Sequence, residues 1–471
     1  MTRPSTLDHY GVSTLIRSPW RLAGALLALG GLSRLPAQVV HVPVTVDTLP
    51  NGLRVLIHED QSSPIVTVNT WFDVGSANEI PGRTGLAHLF EHLMFMGSQH
   101  APYPQFDRLL EAAGANNNAS TANDRTDYFE AGPVHALPLM LWLDADRMGW
   151  FLPVMDAKKV DAQRDIVKNE RRESVENQPY GLVEDYEPGM LFPPGHPYSW
   201  PVIGSMADLS AASLEDVRDF FRHYYAPDNA VIAVVGAVRR DSVLKLISTY
   251  FGAIPRGPGV THPTPSQPRL AADTMVTLED RVQVPQLTYD FESVRAWAPD
   301  DEALKVASYI LTGAKNSRLT QRLVYVDQSA SQVSAFANDE HLAGYFEILT
   351  RARPGHGLPE LQAAIDAELQ RLAKDGPTER EMQQARNSME SRILGGMETI
   401  QGKANRLNQY YIETGNPDGF QKDIDRLRAV TATDVQRVVR QYLLGPRAII
   451  SVVPIGKAAT PGVAAQRRVV P

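Results

Sequence analysis

Two histidines and a glutamate lie close together in an otherwise apolar stretch, at His88, Glu91 and His92. No glycine or proline interrupts residues 86–96, and the leucine, alanine, phenylalanine and methionine between the polar residues favour a helix. Because the histidines are four residues apart, a helix places both imidazoles on one face. Two neutral imidazoles at this spacing can chelate one metal ion, and a ligand set of two histidines and a carboxylate usually binds Zn²⁺.

The order of these residues, His-x-x-Glu-His, is the reverse of the His-Glu-x-x-His helix of zinc proteases. Glu91 lies beside the two histidines without having to bind the ion, which suits a general base acting on water. The alternative is a buried helix whose histidines only satisfy local hydrogen bonds. Burying two imidazoles and an acid without a purpose is costly, so the metal site is the preferred interpretation.

A third ligand must come from elsewhere in the chain, because a catalytic zinc has three protein ligands and one open position. A helix is predicted over residues 158–175, and its most acidic part, residues 163–173, is the strongest candidate region. Glu170 and Glu173 lie three residues apart there, so both could face one side. Most glutamates in such a helix do no more than pair with a neighbouring arginine in solvent. Spacing leaves the choice between Glu170 and Glu173 open.

The composition limits the classes of protein and of site. Of the 471 residues, 43% are apolar, which is enough for the cores of two or three domains. The net charge of −8 argues against nucleic acid as the main partner. No cysteine is present, which excludes disulfides, thiolate metal sites and cysteine nucleophiles. Histidine and carboxylate side chains are therefore the metal ligands that the chain offers.

Residues 1–37 have the pattern of a secretory signal peptide. Two arginines precede an apolar run at residues 22–32, and Ala37 offers a small residue for cleavage. The run is too short to span a bilayer as a stable helix, so we predict an exported, periplasmic protein without a membrane span after cleavage. Asp8 is the one acidic residue before Asp47, so a mitochondrial transit peptide and a matrix location are the alternative. An uncleaved anchor is a third interpretation.

The second half of the sequence repeats features of the first. A capped amphipathic helix at residues 213–225 and another at residues 431–442 are each followed by an apolar strand, 218 residues apart. This repeat predicts an α+β fold of two duplicated domains, each a mostly antiparallel sheet packed with helices. The same offset places the metal helix over the segment near residues 304–310, where no histidine occurs. The second domain is therefore predicted to be free of metal.

The predicted domain boundaries follow from composition. Residues 42–255 form the metal-bearing domain, and residues 269–456 form its metal-free copy. Residues 256–268 are rich in proline, glycine, threonine and serine and are predicted to be the linker. Residues 457–471 are predicted to be a flexible tail. Six prolines in residues 177–204 predict an irregular excursion rather than a break between domains.

Together these features resemble the pitrilysin and mitochondrial-processing-peptidase family of zinc metallopeptidases, the inverzincins, across residues 42–456. Residues 163–170 match the family pattern Glu-Arg-x-x-Val-x-x-Glu at every position but the first. The resemblance implies that Glu170 is the third zinc ligand, that each chain binds one Zn²⁺, and that Glu91 is the base. It also implies that the two domains form half of a clamshell chamber.

Two further sites follow from the resemblance. Asn118-Ala119 lies where the family has a strand that pairs with the backbone of a peptide substrate, and an ordinary polar hairpin is the alternative. Gln163 lies where the family has a glutamate that supports a metal-binding histidine. An amide can accept a hydrogen bond but lacks the charge that raises imidazole basicity, so we expect a somewhat weaker metal site.

The second domain departs from the family at two positions. The family's metal-free half carries an arginine and a tyrosine that hold substrate and stabilise the oxyanion, whereas Val324 and Ser331 occupy these positions here. Arg318 and Tyr325 have the same mutual spacing but come too early in the segment. The resemblance then implies a homologous metal-free subunit that supplies the pair in a heterodimer, with a homodimer as the alternative.

The function predicted from the sequence is zinc-dependent endopeptidase activity on unfolded peptides or oligopeptides. Two alternatives stay open: a non-enzymatic binding or assembly subunit of the same fold, and a metallohydrolase that acts on a non-peptide substrate. Subunits that have become non-enzymatic usually lose metal ligands, whereas His88, His92 and Glu170 are all present here.

Overall fold

The computed structural model describes residues 39–458. The predicted signal peptide, residues 1–37, lies outside the described residues, as does most of the predicted tail at residues 457–471. Within the described part, none of the helices combines the length and the apolar character needed to cross a bilayer.

The first half of the chain is built on a six-stranded sheet. Its strands follow one another in space in the order β1-β2-β6-β3-β5-β4. The strands are β1 (Thr45–Thr48), β2 (Arg54–Glu59), β3 (Ile65–Phe72), β4 (Asn116–Thr121), β5 (Thr126–Pro133) and β6 (Ala230–Gly236). Only the β2–β6 pair is parallel within this sheet. Strand β4 lies at an edge, so one side of its backbone has no strand neighbour in this sheet.

Helices connect these strands. They are α1 (Leu86–Leu93), α2 (Gln105–Ala112), α3 (Leu137–Trp150), α4 (Ala157–Arg171), α5 (Val183–Leu191), α6 (Met206–Ala211), α7 (Leu214–Tyr224) and α8 (Arg240–Phe251). The predicted capped helix is α7: the Ser213 hydroxyl accepts from the Asp216 N–H, and the Asp216 carboxylate accepts from the Ser213 N–H. A single large core of buried apolar side chains joins all of these helices except α5 to the sheet.

The second half is built on a five-stranded sheet. Its strands are β7 (Thr274–Asp280), β8 (Gln286–Glu292), β9 (Ala330–Asp339), β10 (Gly344–Ala352) and β11 (Ala448–Pro454). Its helices are α9 (Asp301–Thr312), α10 (Leu358–Asp375), α11 (Glu379–Gly395), α12 (Ile400–Thr414), α13 (Phe420–Ala429) and α14 (Ala432–Tyr442). The strand order is β7-β11-β8-β10-β9, with β7 and β11 parallel and the remaining pairs antiparallel.

The two sheets have the same topology. Strands β7, β11, β8, β10 and β9 repeat the order and directions of β2, β6, β3, β5 and β4. Helix α9 follows β8 as α1 follows β3, so α9 takes the place of the metal helix in the second half. The predicted α+β fold with two duplicated domains is therefore confirmed, and the predicted metal-free segment near residues 304–310 lies in α9.

Each half sends one helix to the sheet of the other half. Helix α12 packs Leu407 and Tyr410 against β2 and β6 of the first sheet. Helix α5 belongs to the first half, but its Val183 and Met190 pack against apolar residues of β7 and β11. The two halves are thus joined by reciprocal helices rather than by the connecting segment alone.

The prediction of an irregular excursion over residues 177–204 is wrong for the part that forms α5. Helix α5 lies inside this range and contains Pro188. Proline removes one helical hydrogen bond and disfavours a helix locally. Burial of the apolar side chains of α5 against the second sheet supplies stabilisation that the local sequence does not reveal. Residues 256–268 contain no helix or strand, and the domain boundaries drawn on either side of them stay a prediction.

Candidate metal centre

Helix α1 is fixed in the fold by both its start and its buried face. Gly85 precedes it with φ of +86°, and a Cβ there would lie 2.7 Å from the Ile203 carbonyl oxygen. The Glu79 carboxylate accepts from the N–H groups of Gly85 (2.9 Å) and Ala87 (2.7 Å), which satisfies donors that a helix start leaves unpaired. Burial raises the pKa of Glu79 to about 8.

The apolar face of α1 is held by aromatic packing. The Phe90 ring centroid lies 4.5 Å from that of Tyr225 and 5.4 Å from that of Phe151, and all three side chains are buried. His88 and His92 lie on the opposite, partly exposed face. The helix ends at Leu93, three residues before the end of the predicted run. The core therefore orients both imidazoles toward the same open side.

Helix α4 brings a carboxylate to this face. Val160 and Val167 are buried against the core, and the Asp156 carboxylate caps the helix by accepting from the Lys159 N–H at 2.9 Å. Glu170 is near the end of α4 with its side chain 43% exposed. Glu173 lies beyond the α-helix, in a π-helical turn, and is exposed.

The structure brings His88, His92 and Glu170 together. His92 Nε2 lies 3.2 Å from Glu170 Oε2, and His88 Nε2 lies 3.7 Å from Glu170 Oε1. One possible ligand atom from each residue lies within 4.8 Å of the other two. Two imidazole nitrogens and one carboxylate oxygen around a common point form the donor set that zinc prefers when a fourth position is left for water. The residues present therefore fit a zinc ion.

The protonation of His88 also suits metal binding. Burial, and next the nearby His92, lower the pKa of His88 to about 4, so the imidazole is neutral at pH 7. A neutral imidazole keeps the lone pair that a metal ion needs. His88 Nδ1 is buried without a hydrogen-bond partner in the described part of the chain.

Gln163 lies on α4 and is buried, but its amide nitrogen donates to Met96 Sδ at 2.8 Å. Within residues 39–458, no hydrogen bond joins Gln163 to His88 or His92. The support of a metal-binding histidine that was predicted for this residue is therefore not seen as a hydrogen bond in this structure.

Glu91 lies next to the three clustered side chains without belonging to the cluster. Its Oε2 accepts from Thr121 Oγ1 at 2.6 Å. Burial raises the pKa of Glu91, the hydrogen bond from Thr121 lowers it, and the negative charge of Glu170 is among the causes that raise it. A carboxylate with a raised pKa beside a candidate metal centre has the properties of a general base.

The predicted substrate strand is the edge strand β4, which packs beside α1. Asn118 is exposed, Ala119 packs against the core, and the Ala119 N–H donates to Asn118 Oδ1 at 2.9 Å. Thr121 is the last residue of this strand. Thr121 has no role in the predictions above, although its position two residues after Ala119 places it on the same face of the strand.

The corresponding place in the second half has different chemistry. Tyr309 on α9 donates to Ser388 on α11 at 2.7 Å, and Ser388 is 218 residues beyond Glu170.

Arg318 is held by both carboxylate oxygens of Glu381, at 2.7 and 2.8 Å, whereas the Tyr325 side chain is exposed. The interaction with Glu381 gives Arg318 a structural role.

Both halves of the chain match profiles of one peptidase family. The profile described as "Insulinase (Peptidase family M16)" matches residues 54–187, and the one described as "Peptidase M16 inactive domain" matches residues 211–389. Together the matches include α1, α4 and β4 from the metal-bearing half and β7 to β10 from the other half.

Whole-chain relatives carry related names. The chain is 28% identical to zinc protease PqqE of Helicobacter pylori over 93% of its own length and 97% of that protein. It is 26% identical to a probable mitochondrial-processing peptidase subunit beta of Arabidopsis thaliana, covering 88% of this chain and 79% of the relative.

A solved structure of a protease from Helicobacter pylori has the same fold. It matches with a TM-score of 0.83 at 26% identity, covering 88% of this chain and all of that one. This likeness confirms the predicted fold class of two duplicated α+β domains, the arrangement of a half clamshell. With both halves matched by the family's profiles and the whole chain by its members, the protein belongs to the M16 peptidase family, of which pitrilysin-like enzymes are members.

Proposed function

We propose that this chain is a zinc-dependent endopeptidase that cleaves unfolded peptides or oligopeptides. The observation that carries the proposal is the grouping of His88, His92 and Glu170 within 4.8 Å, with Glu91 beside them. The name of the Helicobacter pylori relative, zinc protease PqqE, supports the same reaction class.

The chemistry is metal-assisted amide hydrolysis. His88, His92 and Glu170 would hold the zinc ion, which would supply the Lewis acidity that acidifies water and polarises the scissile carbonyl. Glu91 accepts the proton of the attacking water and then donates it to the leaving amine, so it acts first as a base and then as an acid. Its raised pKa makes the carboxylate a better proton acceptor in the first step.

Substrate binding is proposed at β4. An extended peptide can add to an edge strand through main-chain hydrogen bonds, which tolerates varied side chains. Asn118 and Ala119 lie on this strand, and Thr121 at its end holds Glu91 by the 2.6 Å hydrogen bond. The strand thus connects the place of the peptide backbone to the position of the base.

The contact between Thr121 and Glu91 yields a test of this connection. In Thr121→Val, the loss of one hydrogen bond is expected to reduce kcat/KM on the order of tenfold near neutral pH, the equivalent of about 1.4 kcal/mol. Because that bond lowers the pKa of Glu91, its removal should move the acidic limb of the pH–rate profile to higher pH. Thr121→Ser keeps the hydroxyl and should retain the wild-type profile. An unchanged limb in the valine variant would separate Thr121 from catalysis.

The chain is further proposed to be the metal-bearing subunit of a heterodimer. Val324 and Ser331 occupy the family's arginine and tyrosine positions, and Arg318 is held by Glu381. The name of the Arabidopsis relative, a subunit beta, describes a protein that functions with other subunits. A homologous subunit without the metal motif would supply the arginine and tyrosine, and a homodimer is the alternative.

Reconstitution tests the subunit proposal. We expect the purified chain alone to cleave unfolded peptides slowly, and a homologue that lacks His-x-x-Glu-His but carries the arginine and tyrosine to raise the rate. Substituting the arginine of that homologue should cancel the increase. A full rate from the chain alone would contradict the proposed division of the active site.

A peptide digest with and without a chelator tests the reaction itself. Cleavage should stop on zinc removal and return when one equivalent of Zn²⁺ is restored. Zinc binding without cleavage of peptides, with or without the homologue, would favour a binding subunit, and cleavage of esters alone would favour a non-peptide hydrolase.

Export to the periplasm is proposed from residues 1–37, with the mitochondrial matrix as the alternative.

A further inference from the structure

Three carboxylates meet where α5 of the first half packs on the second sheet. Asp290 on β8 and Glu347 on β10 are direct partners in the antiparallel register, so their side chains share one face of the sheet. Glu187 comes from α5, which lies on the second sheet. One carboxylate oxygen from each residue lies within 4.8 Å of the other two. The cluster therefore joins two elements of one sheet to a helix from the other half of the chain.

Burial makes this grouping costly for the protein alone. Asp290 is completely buried, and in the described part of the chain no donor from outside the carboxyl cluster reaches either of its oxygens. Glu187 Oε1 is likewise buried and has no partner there from outside the cluster. Like charges directly opposite each other in a sheet are destabilising, and an unpaired buried carboxylate costs several kcal/mol. Apolar side chains at these positions would pack without this cost.

No basic side chain offsets the charge. Within residues 39–458, no lysine, arginine or histidine forms an ion pair with Glu187, Asp290 or Glu347, although many other acids of the chain have such partners, as Arg147 shows with Glu130 and Asp144. Burial is also the largest cause that raises the pKa of each of the three carboxyl groups. When they hold protons, these carboxyls hydrogen-bond to one another, Glu187 with Asp290 and with Glu347. A cation that binds there would displace these protons.

Solvent can reach the cluster on the side of Glu187. A cavity of about 150 Å³ lies against Glu187 and is also lined by Glu184, Glu340 and Tyr345. Glu184 and Glu340 add two more carboxyl groups to this lining, and burial raises the pKa of both, that of Glu340 to about 8. The cavity is large enough for several water molecules, which could complete the coordination of an ion that three carboxylates bind incompletely.

We propose that Glu187, Asp290 and Glu347 bind a hard divalent cation of the Ca²⁺, Mg²⁺ and Mn²⁺ class, at a site separate from His88, His92 and Glu170. Carboxylate oxygens are the ligands these ions prefer, whereas the imidazole-containing set on α1 and α4 suits zinc. Because α5 belongs to the first half and the two strands to the second, the bound cation links the two halves of the chain.

Direct binding measurements test the site without reference to peptidase activity. The full chain, freed of other metals and reloaded with one Zn²⁺, is titrated with Ca²⁺, Mg²⁺ and Mn²⁺ by calorimetry, and its unfolding temperature is followed in parallel. We expect one further ion per chain and a higher unfolding temperature in its presence. His88→Ala should retain this second ion, because its loss affects only the α1 site.

Substitutions locate the ion. Asp290→Asn and Glu347→Gln should each reduce the affinity at least tenfold while leaving the zinc content unchanged. Asp241→Asn removes the same charge from a side chain that is 95% exposed and should bind like the wild type. Both cluster substitutions relieve charge repulsion, so the variants are expected to fold.

Two results would overturn the proposal. The first is that no second ion binds at millimolar concentration and that Asp290→Asn and Glu347→Gln are more stable than the wild type, whether or not divalent ions are present. In that case the carboxylates relieve their repulsion by sharing protons. The other is loss of the second ion in His88→Ala, which would place it at the zinc centre.

Discussion

Glu91→Gln is expected to leave zinc bound at one ion per chain and to reduce peptide hydrolysis about 10²–10⁴-fold, the usual contribution of a positioned general base. Glutamine has nearly the same shape as glutamate and can still accept the Thr121 hydrogen bond, so the fold and the metal ligands are preserved. It cannot accept a proton from water. The measurements are metal content by atomic absorption and kcat/KM on an unfolded peptide, made on the same preparation.

A matched substitution separates the local effect from a general one. Glu111→Gln changes an exposed glutamate on α2 and should leave both measurements at the wild-type level. If Glu91→Gln retains full activity, Glu91 is not the base and the proposed mechanism is wrong. If it loses zinc, Glu91 contributes to the metal centre in a way that the grouping of ligands does not include.

Glu170→Ala is expected to lower zinc affinity more than about 100-fold and to abolish hydrolysis. Substituting a residue that only supports a metal ligand typically lowers metal affinity about 10–100-fold, so substituting a direct ligand should lower it further. Without Glu170, the two imidazoles of α1 remain but the negative charge of the donor set is lost. Zinc titration with a competing chelator measures the change.

Glu173→Ala is the matched control, because sequence spacing alone did not separate the two glutamates. Glu173 is exposed in the turn after α4 and lies outside the group formed by His88, His92 and Glu170. Its substitution should leave zinc affinity and hydrolysis unchanged. The reverse result, with Glu173 required and Glu170 dispensable, would contradict both the resemblance and the geometry.

The predictions that rest on local spacing are those the structure reproduces. His88, Glu91 and His92 lie on one helix, and that helix forms because apolar residues fill the positions between them. The duplication was visible because capped helices and buried strands recur at one offset. Glu170 could be selected only through the family resemblance, because a helix with several acids offers no intrinsic reason to prefer one of them.

Contacts between distant elements were not predictable in the same way. The apolar residues of α5 indicate that the helix has a buried face, but they do not say that the face is covered by the sheet of the other half. The same holds for Asp290 and Glu347, whose pairing depends on strand register. The hydrogen bond from Thr121 to Glu91 likewise depends on the packing of β4 beside α1.

The location of zinc in the protein tests the central claim most directly. Anomalous diffraction collected at the zinc absorption edge from crystals of the wild-type chain should show one strong peak within bonding distance of His88 Nε2, His92 Nε2 and a Glu170 carboxylate oxygen. Glu91 should lie beside this peak without ligating it. A zinc peak elsewhere, or none at these three side chains in zinc-loaded crystals, would contradict the account.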